Sequence, residues 1–313
     1  MESEGRIAVL ILAHKNSTQV ARLIHSLKHP KVDCYLHFDK KMPITHAEMQ
    51  SLGGAVIAER ISCFLDDWSL CQAALLLLQE SRKIFQYKYY ILLSGQDYPI
   101  KPIGNLVNFL EKNYPKPFID MTPYSVNNWI AYKFWTTKFH HDFKVVIRDM
   151  QSVVKHRIPG TNRMADLCQK LSSKFRPTAF ELLSSLGVNI YGGSAWWTLP
   201  DLAVEEIFKD MEAHPNITDA FKWSFTPEET FFQTMTMRTS VAHFVDVNPV
   251  DERAQNCLTY AHFVSPTKGA SCHPHILEEN DWIWLQQRPE YFARKFDMNC
   301  SPKVFDIIDK TLE

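Results

Sequence analysis

Glu228 and Glu229 stand in the run Thr226-Pro227-Glu228-Glu229-Thr230-Phe231-Phe232. A carboxylate held in a cleft beside aromatic rings can take a proton from a hydroxyl as a general base. The same run reads as a helix start, with Thr226 as N-cap, Pro227 in the first position and acidic residues in the first turn, and capping alone accounts for both glutamates. Tyr291-Phe292-Ala293-Arg294-Lys295-Phe296-Asp297 sets two adjacent cations among aromatics. Near a nucleotide such cations can neutralise a diphosphate leaving group. Tyr191-Gly192-Gly193-Ser194-Ala195-Trp196-Trp197-Thr198-Leu199 puts paired glycines, which permit close backbone approach to a ligand, before two large aromatics. Adjacent tryptophans on a strand face opposite sides, so at most one lines a cleft while the other packs in the core.

The elements that must hold these groups follow from hydrophobic pattern. Ile7 to Ala13 reads as a buried strand, and Ser17 or Thr18 caps a helix in which Val20, Leu23, Ile24 and Leu27 share one face. Cys34 to Phe38 and Ala55 to Ala58 are the next strands. Leu70, Ala73, Ala74, Leu77 and Leu78 form the buried face of a helix ending near Phe85, and Tyr89 to Leu93 is a fourth strand. Strands alternating with helices predict a parallel sheet whose ligands lie beyond the strands' carboxyl ends. Those ends carry His14 and Lys15, Asp39 and Lys40, and Ser94-Gly95-Gln96-Asp97-Tyr98-Pro99. The competing reading of Asp39 is a loop carboxylate that caps a neighbouring amide. Tyr191 to Leu199 is expected as one strand returning to the sheet.

Composition narrows the function. The chain has 313 residues, 45% of them hydrophobic, enough to bury a sizeable core and to exclude a disordered or fibrous protein. With 34 basic against 35 acidic residues there is no global field for nucleic acid or anionic lipid. The exception is local: from Lys133 to Arg176 ten basic residues face three acidic ones, either a solvated helical face or a site for an anionic acceptor or membrane surface, with Ile158-Pro159-Gly160 as a turn inside it. Seven scattered cysteines without a C-x-x-C point to a reducing compartment. Cys272-His273-Pro274-His275 lacks a second ligand pair at zinc spacing, so no metal is expected there. No G-x-G-x-x-G follows the first strand and no P-loop occurs, which counts against a dehydrogenase and a P-loop NTPase.

Taken in order, Ser94-Gly95-Gln96-Asp97-Tyr98-Pro99-Ile100-Lys101, Gly193-Ser194-Ala195-Trp196-Trp197, Pro227-Glu228-Glu229-Thr230-Phe231-Phe232 and Phe292-Ala293-Arg294-Lys295-Phe296 resemble the motif series of the core-2/I-branching β-1,6-N-acetylglucosaminyltransferases and the related peptide O-xylosyltransferases. The resemblance runs from about Ile7 to Ile308. It implies a GT-A-type α/β fold with a mostly parallel central sheet flanked by helices, in which 1–118 binds the UDP-sugar and 119–313 completes acceptor site and catalytic centre of the same domain, with a basic helical insertion at about 140–180. It further implies metal-independent, inverting sugar transfer from a UDP donor to a hydroxyl of a glycan acceptor, with no cofactor and no nucleic-acid partner. Among the aspartates no two are separated by one residue, so the D-x-D that holds a divalent ion in most GT-A enzymes is absent. Carried over by position, Glu229 is the catalytic base and Lys295 the diphosphate-binding lysine. Ala13, His14 and Asp39 hold the uridine edge, Asp97 and Arg294 complete the donor site, and Trp196 and Trp197 meet the acceptor.

Two departures qualify these expectations. The second diphosphate cation of the branching enzymes falls here on Cys272 or His273, with Lys268 or Arg294 as substitutes. The wording of the tryptophan and arginine-lysine motifs is nearer the xylosyltransferases, so the donor stands between UDP-N-acetylglucosamine, which is favoured, and UDP-xylose. The short apolar runs contain no membrane span, and the expected setting is a cytoplasmic enzyme, peripheral to the inner membrane through residues 140–180 and bacterial. The alternatives are a catalytically inactive carbohydrate- or nucleotide-sugar-binding protein on this scaffold, and a hydrolase using Glu229 with a second carboxylate. Glu228 does not suit that second role, because consecutive helix residues diverge by about 100°.

Overall fold

The computed structural model describes residues 5–56, 59–125, 130–134, 176–248, 256–263 and 274–312, with the single positions 138, 142, 164, 167 and 171. The first half runs β1 (Ile7–Ala13), α1 (Ser17–Ser26), β2 (Val32–Phe38), α2 (His46–Ser51), β3 (Ala55–Val56), α3 (Ser69–Ile84), β4 (Tyr89–Ser94), β5 (Asp97–Pro99), α4 (Ile103–Asn113) and β6 (Phe118–Ile119). It continues with β7 (Thr122–Pro123), α5 (Ala179–Ser185), β8 (Tyr191–Gly192), β9 (Trp197–Pro200), α6 (Asp201–Ala213), α7 (Pro215–Lys222), α8 (Phe231–Thr236), β10 (Thr259–Ala261), α9 (Trp282–Leu285), β11 (Phe292–Arg294) and α10 (Pro302–Leu312).

β1 is apolar at every position, as a strand covered on both faces must be. It lies in a six-stranded sheet of order β3-β2-β1-β4-β9-β6. β1 pairs in parallel with β2 and β4, and β2 with β3, whereas β9 runs antiparallel to both β4 and β6. The sheet is therefore mostly parallel, as expected. Side chains alternate along β1: Ala8 and Leu10 join a core with Leu77 and Leu78 of α3 and with Trp197, Phe231 and Phe232, while Ile7, Val9 and Ile11 join a second core with Leu23 of α1, Leu106 of α4 and Phe305 of α10. Each fully buried Leu or Phe contributes about 1.5–3 kcal/mol by leaving water. Segments beyond residue 118 supply β6, β9 and α10, so both parts of the chain share one sheet and both cores.

Two local expectations change. The second strand begins at Val32, two residues before Cys34, because Ile7 of β1 pairs with Val32. Tyr191 to Leu199 is not one strand: β8 pairs with β7, and β9 joins the main sheet. Between them Gly193 passes so near the Asp120 carbonyl oxygen that a Cβ would lie 2.1 Å from it. The third strand is described over Ala55–Val56, within the expected bounds, with 57–58 outside the described residues. Most of the basic stretch, including the turn at 158–160 and the greater part of 140–180, lies outside the described residues. Among the described residues no helix is long and apolar enough to cross a membrane.

Candidate active site

The carboxyl ends of β1, β2 and β4 meet at one edge of the sheet, and Asp39 N donates to Ala13 O at 2.8 Å there. Asp39 is buried; its Oδ1 accepts from Lys41 N at 2.9 Å and its Oδ2 lies 3.1 Å from Lys41 Nζ, so the carboxylate does cap a neighbouring amide. His14 keeps solvent access at this edge. Its imidazolium is disfavoured, first because protein displaces water from the ring and then because Lys15 and Lys295 are close. Gln19, fully buried on α1, joins two loops at the edge: Nε2 donates to Gly95 O at 2.7 Å and to Phe296 O at 3.0 Å, and Oε1 accepts from Met298 N at 2.9 Å. Lys15 Nζ, 2.7 Å from Asp297 Oδ2, adds an ion pair between the loop after β1 and the loop after β11.

The cations come from the second sheet, in which β11 pairs antiparallel with β5 so that Arg294 faces Asp97. Asp97 is fully buried, accepts from Ser94 N at 2.6 Å and from Ser94 Oγ at 3.0 Å, and lies 3.5 Å from Arg294 Nε. Burial raises the Asp97 carboxyl's pKa against the pull of Arg294, and burial lowers that of the guanidinium. Asp97 thus stands behind Arg294 and shapes the loop after β4. The Arg294 guanidinium stacks 3.9 Å from the Trp196 ring centroid, and its Nε and Nη1 make no hydrogen bond to the described residues. Lys295 is half-buried and close enough to His14 and Asp97 to act on both electrostatically. Trp197 takes the core role: it is 1% exposed and packs on Phe232 with ring centroids 4.7 Å apart. Of the two tryptophans, Trp196 is the one beside the cations.

The expected cap at Thr226 does not form. Thr226 has φ +49°, makes no side-chain cap bond, and leads into a 3-10 turn, Pro227–Glu229, that precedes α8. Its hydroxyl instead accepts from the Lys133 ammonium, which also sits 2.7 Å from Glu229 Oε2. Lys133 is 1% exposed, so for this member of the basic stretch the solvated-face reading is replaced by a buried ion pair. The Glu229 side chain remains 38% exposed. Its main chain is anchored where Gly193 N donates to Glu229 O at 2.9 Å, and Gln233 Nε2 holds Ser194 O at 2.6 Å. Glu228 turns inward; burial pushes its carboxyl up to about 8, and its Oε2 has no hydrogen-bond partner among the described residues.

Glu229 and the cations therefore belong to one connected neighbourhood. Gly193 binds Glu229, Trp196 stacks on Arg294, and the three residue steps between them span at most about 11 Å. Lys133, as a partner of Glu229, and Gln19 are the residues that sequence pattern did not single out, whereas Gly193 belongs to the glycine pair that it did. Lys268, Cys272 and His273 lie outside the described residues, and His275 packs near His262 with ring centroids 5.9 Å apart.

The family profile described as Core-2/I-Branching enzyme matches residues 7–286. Xylosyltransferase 2 from Homo sapiens and from Pan troglodytes are each 25% identical over 97% of this chain and 33% of their own length. Xylosyltransferase oxt from Drosophila melanogaster is 24% identical over 93% of this chain and 32% of its own. The chain thus spans about a third of the length of these curated relatives, and because they are animal proteins they lend no support to a bacterial origin. A solved cytidylyltransferase from Leptospira borgpetersenii aligns over 54% of this chain and 73% of its own at 15% identity and TM-score 0.26, too distant to bear on the fold. With the profile matching nearly the whole chain, and a mixed α/β fold built on a mostly parallel sheet, the protein belongs to the Core-2/I-branching enzyme family of GT-A-like glycosyltransferases.

Proposed function

We propose that the protein transfers a sugar from a UDP donor to an acceptor hydroxyl by a single inverting displacement that needs no metal. The observation that carries this reading is the hydrogen bond from Gly193 N to the main-chain oxygen of Glu229, which sets the residue bearing a solvent-reaching carboxylate three residues from Trp196 and the Arg294 guanidinium on its ring. The acceptor hydroxyl gives its proton to Glu229 as its oxygen bonds to the anomeric carbon. The bond from that carbon to the β-phosphate oxygen breaks with its electron pair, and Lys295 offsets the charge gathering on UDP. Arg294, held from below by Asp97 and from the side by Trp196, adds positive potential to the same place. The absence of D-x-D from the sequence supports a cationic side chain in the part that a divalent ion plays elsewhere. The uridine lies along Ala13, His14 and Asp39. UDP-xylose takes precedence over UDP-N-acetylglucosamine as donor, because the relatives aligned over 97% of the chain are named xylosyltransferases.

The test is UDP release from UDP-xylose, UDP-N-acetylglucosamine and UDP-glucose in the presence of glycan and peptide acceptors, with and without EDTA. Acceptor-dependent release that EDTA leaves intact, and that falls by 10²- to 10⁴-fold in Glu229→Gln, is the expected result. Release that stops with EDTA and returns with a divalent ion refutes metal independence, and full turnover in Glu229→Gln removes that residue from the chemistry. UDP binding without turnover of any donor leaves a carbohydrate-binding protein on the scaffold.

A further inference from the structure

From the contact between a buried ammonium and the proposed base, we infer that Lys133 is a positioning residue, which holds one of the two Glu229 oxygens and leaves the other toward the acceptor. This rests on the reading of Glu229 as the base. Lys133 stands 96 positions from Glu229 in sequence and is brought to it by the 3-10 turn Ala131–Phe134. Its backbone is fixed on both sides, with Lys133 N donating to Ile130 O at 3.1 Å and Lys133 O accepting from Phe225 N at 2.7 Å. The neighbouring Phe134 is buried against Phe221, ring centroids 5.8 Å apart. The ammonium therefore has little freedom, and Thr226 Oγ1 and Glu229 Oε2, both of which accept from it, belong to the turn that carries the base.

Lys133 occupies Oε2, and among the described residues no donor reaches Oε1. Oε1 is thus the oxygen left for the incoming hydroxyl. A fixed base of this kind lowers the orientational cost of proton transfer. Burial raises the neighbouring Glu228 carboxyl to about 8, so its neutral form prevails at pH 7 and it does not compete with Glu229 as the base.

The test is kcat and the donor KM in Lys133→Met and Lys133→Arg, beside Glu229→Gln. Loss of the ammonium frees the carboxylate to turn away from the acceptor hydroxyl, so kcat of Lys133→Met is expected to fall by about tenfold or more. KM for the donor should stay within about twofold of the wild-type value, because the ammonium lies on the base side of the cleft, and Lys133→Arg should return most of kcat. A kcat in Lys133→Met equal to wild type overturns the inference, as does a loss that Lys133→Arg leaves unrepaired. Should Lys133→Met not accumulate as folded protein, Lys133→Gln, which keeps a donor to Thr226, carries the same readout. An inactive Glu229→Gln with an undiminished kcat in Lys133→Met rejects the positioning role alone. A fully active Glu229→Gln rejects the base assignment on which it rests.

Discussion

Glu228→Gln is expected to change how stability depends on pH, with a net loss at pH 4.5 that closes or reverses by neutral pH. The carboxyl is raised from 4.5 to about 8, chiefly by burial, so the folded protein keeps a proton that the unfolded chain gives up. A group raised in this way stabilises the fold fully below pH 4.5 and loses that contribution as pH climbs to about 8. At about 1.4 kcal/mol per pH unit, less at the ends of the window where each state is half-titrated, the wild-type protein gives up about 3 kcal/mol between pH 4.5 and 7, and about 4 kcal/mol by pH 8. Glutamine does not ionise and removes this slope. It introduces an amide where the wild-type Oε2 has no partner, a penalty of about 1–3 kcal/mol that is the same at every pH. The informative quantity is therefore the difference between variant and wild type along a pH series, from urea unfolding followed by far-UV circular dichroism at pH 4.5 to 8.5. The difference should grow in favour of Glu228→Gln across that window. A difference that stays flat means that Glu228 ionises freely in the folded protein, which would return it to the list of candidate bases.

Lys295→Ala should weaken UDP binding by about tenfold or more in isothermal titration calorimetry while leaving the melting temperature of the free protein nearly unchanged, and an unaltered affinity would remove Lys295 from the diphosphate site. Gly193→Ala forces a methyl group to within 2.1 Å of the Asp120 carbonyl oxygen, so the backbone must shift; a loss of about 1–3 kcal/mol in urea unfolding and a slower transfer reaction are expected, and wild-type stability would show that the contact relaxes freely. Gln19→Leu leaves two carbonyls and one amide without this partner and frees the loops after β4 and β11 from α1. It should raise KM for the UDP-sugar and lower the melting temperature together, and a fall in melting temperature with an unchanged KM would confine Gln19 to the core.

The parts of this protein that are legible in its sequence are those set by local pattern. Seven apolar residues in β1 announce a central strand; the expectation that one of Trp196 and Trp197 enters the core also holds, although Trp196 precedes β9 and strand alternation does not set its direction. Asp39 admitted two readings, and its bonds to Lys41 realise the capping one at the very edge where the uridine is proposed to lie. The failures come from long-range partners. Thr226 has the residue type and the following proline of an N-cap, yet a lysine far away in sequence takes its hydroxyl and the residue adopts a left-handed conformation. That lysine looked like one more charge in a basic run, because nothing in the spacing of Lys133 reveals a carboxylate 96 positions on. Arg294 reads as a surface cation beside aromatics and is instead 8% exposed, because the β5–β11 pairing sets Asp97 opposite it and Trp196 covers its face.

A crystal structure of the protein with UDP examines the proposed cleft most directly. The account predicts the uridine against Ala13, His14 and Asp39, phosphate oxygens within hydrogen-bond distance of Lys295, and the Oε1 atom of Glu229 facing the β-phosphate across open space wide enough for a sugar. UDP bound elsewhere, for instance in the cavity of about 1330 Å³ between α1 and the β2–β3 edge, or Glu229 sealed from the phosphates by packed side chains, would contradict it.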